Sequence, residues 1–345
     1  MTDTLVDVTQ DNAVDLTQDD APDVAQDVAQ DVAQEERTDA WTALLERLSR
    51  QSVTPGKHFD AYADVAWDDE AYRMDPADPR WELGPDEPLY HTAWYQAQPP
   101  EVRARMGLHL VVTKMKIGLQ FEGILKRGLL EFAARLPNGS PEFRYAYHEV
   151  IEEAQHSLMF QEFVNRSGMK ATGMRWWDQL GARRVVSLGR RFPSLFFMFV
   201  LGGEDPIDYV QREALRNSDN VHPLLERIMR IHVTEEARHL SFARHYLKNH
   251  VPSLPWYRRL ALAVETPLIL GTMAQLMLRP SSDVVKTYEI PKATIREAYV
   301  DNPDHKAGVR ASLKKVRNLA GELGLITPLS KPIWKAFGIW DDAAA

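Results

Sequence analysis

VIEEAQHSLMF (150–160) and VTEEARHLSFA (233–243) carry one pattern, Glu-Glu-Ala-x-His, in copies 83 residues apart. A packed core calls for apolar residues, not for paired acids beside a histidine. On an α-helix, residues three or four apart share a face. Glu153 and His156 therefore reach one point, as do Glu236 and His239. A Glu-x-x-His pair from each of two helices, joined by one Glu from each of two others, is how four-helix bundles hold two iron or manganese ions. The carboxylates offset the cationic charge, and imidazole nitrogen suits the divalent metals.

Average residue usage yields about one Glu-x-x-His by chance in a chain this long, and two copies of Glu-Glu-x-x-His on the order of a thousandth of a time. The repeat is thus the informative feature, and each half alone would say little. Metal-bound histidines usually donate their second ring N–H to a carboxylate or carbonyl. Glu152 and Glu235 are placed to be such outer acids, and Arg238 to neutralise one of them.

The remaining ligands must be single carboxylates on other helices. Glu122 shares a stripe with Met115, Gly118, Leu119, Leu125 and Leu129, where an unpaired carboxylate is costly to bury. Its competitor Glu131 sits between Arg127 and Arg135, an ordinary solvated face. Glu204 shares a face with Phe197, Val200, Leu201 and Ile207, with Asp205 and Asp208 as alternatives. Gly202-Gly203 and Pro206 surround it and predict a kink. His232 lies four residues before Glu236 and seven before His239, which puts all three within about 60° around one helix.

The surrounding text is helical. Pro99-Pro100 opens a proline-free run to Leu136, and PNGSP breaks it. Ser140-Pro141 reads as an N-cap and first turn, and that helix runs to about Asn165. Others cover about 194–217 and 222–249, a fifth begins near Pro255, and residues 289–324 suggest two shorter ones. No run alternates as strands do, so the fold class is all-α. Residues 38–98, rich in Trp, Pro and Asp, predict short helices and loops wrapping a core. The most apolar run, Leu260 to Leu278, is interrupted by Glu265, Pro267 and Gln275 and reads as a buried core helix, not a membrane span.

Residues 1–37 hold eleven acids and one base, a net of −10 within the chain's −8, so the remainder carries +2. That balance gives no reason to expect nucleic acid or an anionic membrane as partner. The tail repeats DVAQ, lacks aromatics and reads as disordered. There are no cysteines, which excludes disulfides, thiolate metal sites and a built-in iron–sulfur relay. Electrons must then come from an external donor. MTDTLVDVTQ has neither a basic nor an apolar leader region, and the expected location is cytoplasmic.

The order Glu122, Glu153-x-x-His156, Glu204, His232-x-x-x-Glu236-x-x-His239 resembles the p-aminobenzoate N-oxygenase (AurF-like) family of ferritin-like diiron oxygenases, over about residues 100–250. The extra histidine at position 232 separates that family from ribonucleotide reductase small subunits, desaturases and ferritins. The resemblance implies a ferritin-like four-helix bundle core with flanking helices, and a single domain over 38–345. It implies Glu122, Glu153, Glu204 and Glu236 as carboxylate ligands and His156, His232 and His239 as nitrogen ligands. It also implies two Fe ions, with Mn as competitor, and O2 as co-substrate. The activity implied is oxidation of an arylamine towards hydroxylamine or nitro. A small-molecule substrate, an amine, is the expected partner, and a homodimer is left open. One turn before Glu122 this chain has no arginine to grip a substrate carboxylate, although Lys114 and Lys116 are near. The alternative functions are another diiron reaction (hydroxylase, desaturase or oxidase) and non-catalytic metal binding.

Overall fold

The computed structural model describes residues 38–216 and 221–340. The acidic tail expected over 1–37 lies outside them. The chain divides into two units, Met1–Leu44 and Leu45–Ala345. In the first, 38–44 are helical. All that follows concerns the second.

Six long helices organise it: α1 (Pro100–Ala133), α2 (Pro141–Ser167), α3 (Trp176–Arg191), α4 (Pro193–Arg216), α5 (Pro223–His250) and α6 (Trp256–Met277). Proline stands in the first turn of α1, α2 and α5, where its missing N–H would have no intrahelical partner anyway. Ser140 stands at the cap position of α2, but its side chain does not cap the helix. Its hydroxyl donates instead to the carboxylate of Glu142, a charged and therefore stronger acceptor. Helix α2 stops at Gly168, whose φ of 63° is left-handed, as at many helix C-termini. Shorter helices follow: α7 (Ser282–Thr287), α8 (Lys292–Arg296), α9 (Pro303–Ser312), α10 (Lys314–Glu322) and α11 (Lys331–Ala336). Among the described residues there is no strand, and the fold class is all-α.

One element departs from the sequence expectations: helix α3 was not foreseen. Helix α4 is continuous through Pro206, as the expected helix over about 194–217 requires. At α3 the deciding contact is tertiary. A Cβ on Gly189 would stand 2.0 Å from the carbonyl oxygen of Gly128, so glycine lets α3 lie backbone-to-backbone on α1. A helical stretch at Trp256–Thr287 is long and apolar enough to cross a membrane, yet half of its most apolar window is buried within the fold.

Helix α1 packs along α2, and α4 along α5. One end of this four-helix core is an aromatic cluster of Phe132, Phe197, Phe242 and Tyr246, with ring centroids 4.5 to 6.4 Å apart. The other end holds Leu108, Val112, Met115, Phe160, Phe163, Ile228 and Ile231. Each fully buried side chain of this kind contributes about 1.5–3 kcal/mol. The charged residues of the repeat lie between these two ends along the helices.

Within this unit, residues 52–98 run in short helical turns and loops packed on the core. Two of these, Glu70–Tyr72 and Pro79–Trp81, are capped by Asp69 and Asp78, whose carboxylates accept from Ala71 and Arg80 N–H. Trp81 is buried and stacks on His222 at 4.1 Å. This is what the Asp- and Trp-rich composition does.

Candidate dimetal centre

The two copies of the repeat face each other on α2 and α5, and their outer acids cross over. His156 Nε2 lies 2.9 Å from Glu235 of the other copy. His239 Nε2 lies 2.8 Å from Glu152. Each ring thereby turns Nδ1 inward. His156 Nδ1 is 3.4 Å from Glu153 and 3.8 Å from Glu236. His239 Nδ1 is 3.1 Å from Glu153 and 3.0 Å from Glu236. Arg238 donates to Glu152 at 2.7 Å and lies 3.7 Å from Glu235, so it neutralises both outer acids.

Glu122 of α1, Glu204 of α4 and His232 of α5 complete the cluster. Donor atoms of Glu122, His156 and His232 all fall within 4.8 Å of one another, and so do those of Glu204, His232 and Glu236. The alternatives are engaged elsewhere. Asp205 pairs with Arg244, and Asp208 accepts from Arg212 at 2.8 Å. Glu131 is only half-buried, whereas Glu122 is 1% exposed. Beside Glu204, a Cβ on Gly203 would stand 2.0 Å from the Phe121 ring. Glycine there lets α4 close onto α1.

The chain's own charges polarise this cluster. Burial works to raise the Glu152 carboxyl, but His239 and Arg238 outweigh it and hold it down at about 2. Burial likewise works to lower His156, yet Glu153 and Glu235 hold it up at about 10. His232 goes the other way, pushed down to about 4 by burial and by the neighbouring His156. It is therefore neutral. Its Nδ1 lies 2.9 Å from Gln211 Oε1. An amide oxygen only accepts, so Nδ1 carries the hydrogen and Nε2 keeps a lone pair towards Glu122 and Glu236.

Several atoms at the centre of this cluster lack hydrogen-bond partners although fully buried: both oxygens of Glu153, one each of Glu122 and Glu236, and His156 Nδ1. The short approach of His239 Nδ1 to Glu153 is proximity without hydrogen-bond geometry. Buried polar atoms are nearly always partnered, and carboxylates clustered this closely repel. Two divalent cations would satisfy both demands. The donor set, oxygen-rich with imidazoles, fits iron or manganese. Residues 38–324 match the family model of the p-aminobenzoate N-oxygenase AurF.

The chain belongs to the AurF family. This family is ferritin-like in fold and depends on a diiron centre for oxygenase chemistry, with a small-molecule substrate and an external electron donor. Relatives of this AurF-family chain include uncharacterized proteins of Mycobacterium tuberculosis and Mycobacterium bovis. Each is 36% identical over 299 residues, which span 86% of either chain. No solved structure matches significantly.

Sequence reasoning missed five participants. Gln211, the partner of His232, lies two turns after Glu204 on α4, and that spacing was a usable signal. Phe59 N–H donates to Glu235 at 3.0 Å, with His58 Nδ1 3.7 Å from the same oxygen, and nothing local marks them. Lys126 donates to the Glu153 carbonyl at 2.9 Å and to the Ser157 hydroxyl, tying α1 to α2 beside the centre. Glu149, also buried, lies with Glu153 and His239 inside one 4.8 Å cluster. Burial, then Glu236 and Glu152, push its carboxyl up against the pull of His239, to about 7. Its signal was the repeat itself, which begins one residue earlier than the first-quoted valines.

Proposed function

We propose that Glu122, Glu153, Glu204, Glu236, His156, His232 and His239 hold two iron ions, with manganese as the competitor. The chain uses them with O2 to oxidise the nitrogen of a small aromatic amine. The observation that carries this reading is the convergence of seven side chains around partnerless buried oxygens, at the wall of an apolar cavity.

That cavity has a volume of about 220 Å³ and is bounded by Glu122, Glu204 and His232 on the cluster side. An apolar cavity of about 150 Å³ accommodates benzene, so this one suits a single substituted ring. Phe121, Phe160, Met115 and Ile117 supply apolar walls that keep water from the reacting group. Two cations, Lys114 and Arg279, also line it. Gly118 occupies the place one turn before Glu122, and Arg279, just beyond α6, is the guanidinium that sequence reading did not find. Both cations lie in a polar network. Lys114 reaches Glu87, Glu87 accepts from Tyr299 Oη at 2.5 Å, and Arg279 donates to the Tyr299 carbonyl. An acidic group on the ring remote from its amine would be received here.

When bound, the reduced iron pair supplies electrons and the place where O2 is activated. The chain's part is to hold the ligands. Glu235 and Glu152 fix the histidine rings of α2 and α5, and Gln211 fixes His232. The test is metal analysis after anaerobic iron loading, then rapid-mixing optical spectroscopy with O2 and product analysis with p-aminobenzoate and neutral anilines. The reading predicts two irons per chain, an O2-dependent transient and N-oxidised product. Metal content near zero would remove it, and ring-hydroxylated product alone would replace N-oxygenation by C–H oxidation.

A further inference from the structure

The repeat extends to eight residues, EVIEEAQH (149–156) and HVTEEARH (232–239). The copies share Val, Glu, Glu, Ala and His in register. Their structural roles also correspond. Glu153 and Glu236 each face both inward Nδ1 atoms. His156 and His239 each turn Nε2 to the other copy's outer acid. The two helices are thus related by a local pseudo-twofold, and it carries His232 onto Glu149.

Glu149 behaves as that correspondence demands. It is 1% exposed. Its Oε2 is buried with no hydrogen-bond partner. Its carboxylate lies with Glu153 and His239 inside 4.8 Å, as His232 does with Glu122 and His156 at the opposite end of the cluster. A buried carboxylate oxygen with no donor is costly unless a proton or a cation meets it.

We propose that Glu149 is an additional metal-binding carboxylate, the counterpart of His232, belonging to the ion on the His239 side. This rests on the two-metal reading above and adds to it an inequivalence between the ions. One end is nitrogen-rich, with His156 and His232. The other is oxygen-rich, with Glu149, Glu153 and a single histidine, and suits the harder cation.

The test is anaerobic titration of the full metal-free chain with Fe(II), and separately with Co(II) read by its visible absorption. Wild type, Glu149→Gln and Glu149→His are compared after circular dichroism has established folding. Wild type should take up two ions. Glu149→Gln should keep one with wild-type affinity and bind the second at least tenfold more weakly, with one component of the Co(II) spectrum altered. Glu149→His makes the copies alike at this position and should keep two ions with a changed spectrum. It also serves as the test if Glu149→Gln does not fold. Wild-type stoichiometry, affinity and spectrum in the variants would overturn the proposal while leaving the two-metal reading intact. Equal weakening of both ions with an unchanged spectrum would overturn it too, since a charge near the site would do that without ligation. A wild type that binds no pair of ions would remove both readings.

Discussion

Replacing Glu152 with Gln separates what the outer acids do for the metal from what they do for the fold. Glu152 is 1% exposed, and its two oxygens meet His239 Nε2 at 2.8 Å and Arg238 at 2.7 Å. Glutamine keeps the shape but carries no charge and only one acceptor oxygen. A charge-assisted hydrogen bond contributes about 1.5–3 kcal/mol net, and breaking a buried ion pair costs about 3–5 kcal/mol. Arg238 keeps a partial partner, since Glu235 lies 3.7 Å away. The expected loss of stability is therefore about 2–4 kcal/mol. The metal effect follows a different path, through the orientation and basicity of His239, and changes of this kind cost about 10–100-fold in affinity. Adding Arg238→Met removes the stranded cation. The double variant should regain much of the lost stability, read by thermal or urea unfolding, but none of the lost metal affinity, read by competition with a chelator. If metal affinity is unchanged in Glu152→Gln, or returns in the double variant, then Glu152 acts on the fold alone and the crossed pairing has no bearing on the ions.

Glu122→Ala should strip or scramble the metal pair while Glu131→Ala leaves it intact, checked by metal content. Equal loss in both would show that the wrong acid of α1 was chosen. Metal affinity should rise with pH. His156 is raised from 6.5 to about 10, so its imidazolium contributes stability to the metal-free chain that is fully present below pH 6.5 and lost as pH rises through about 10. A metal needs the neutral ring, so each displaced proton should add up to about tenfold affinity per pH unit below that value, with proton release on loading. Gly203→Ala should cost about 1–3 kcal/mol by overpacking, because the new methyl meets Phe121, and it should also narrow the cavity, visible as weaker binding of an aromatic amine.

The buried cluster was legible where a shared helical face imposes a spacing. Glu-x-x-His puts both side chains on one helical face, so two copies stood out of the sequence without any structure. Glu122 and Glu204 were legible for a second reason, since a lone acid on an apolar stripe has no solvent to face. The partners that come from across the fold left no such trace. Phe59 and His58 reach Glu235 through the wrapping of an irregular segment, and no local pattern encodes that reach. Helix α3 was hidden because its interior carries Gly181 and Gly189, which lower helix propensity. Its reason for being helical lies in the Gly128–Gly189 approach to α1. Glu149 was hidden by where the repeat was taken to begin.

The pseudo-twofold also explains why one end of the cluster differs from the other. Glu122, Glu204 and His232 border the cavity, whereas Glu149, Glu153 and His239 do not. The closed end is covered by Tyr145, buried one turn before Glu149, and by the aromatic cluster reaching it through the Tyr145–Phe242 contact at 4.6 Å. A neutral side chain, the His232 imidazole, sits at the open end beside the apolar cavity. The Glu149 carboxyl sits at the closed end, where the cost of burying its charge is met by a proton or by a cation. Had the two residues been exchanged, a partnerless carboxylate would line the apolar cavity and draw water into it. The asymmetry of the repeat at this single position therefore follows the asymmetry of access.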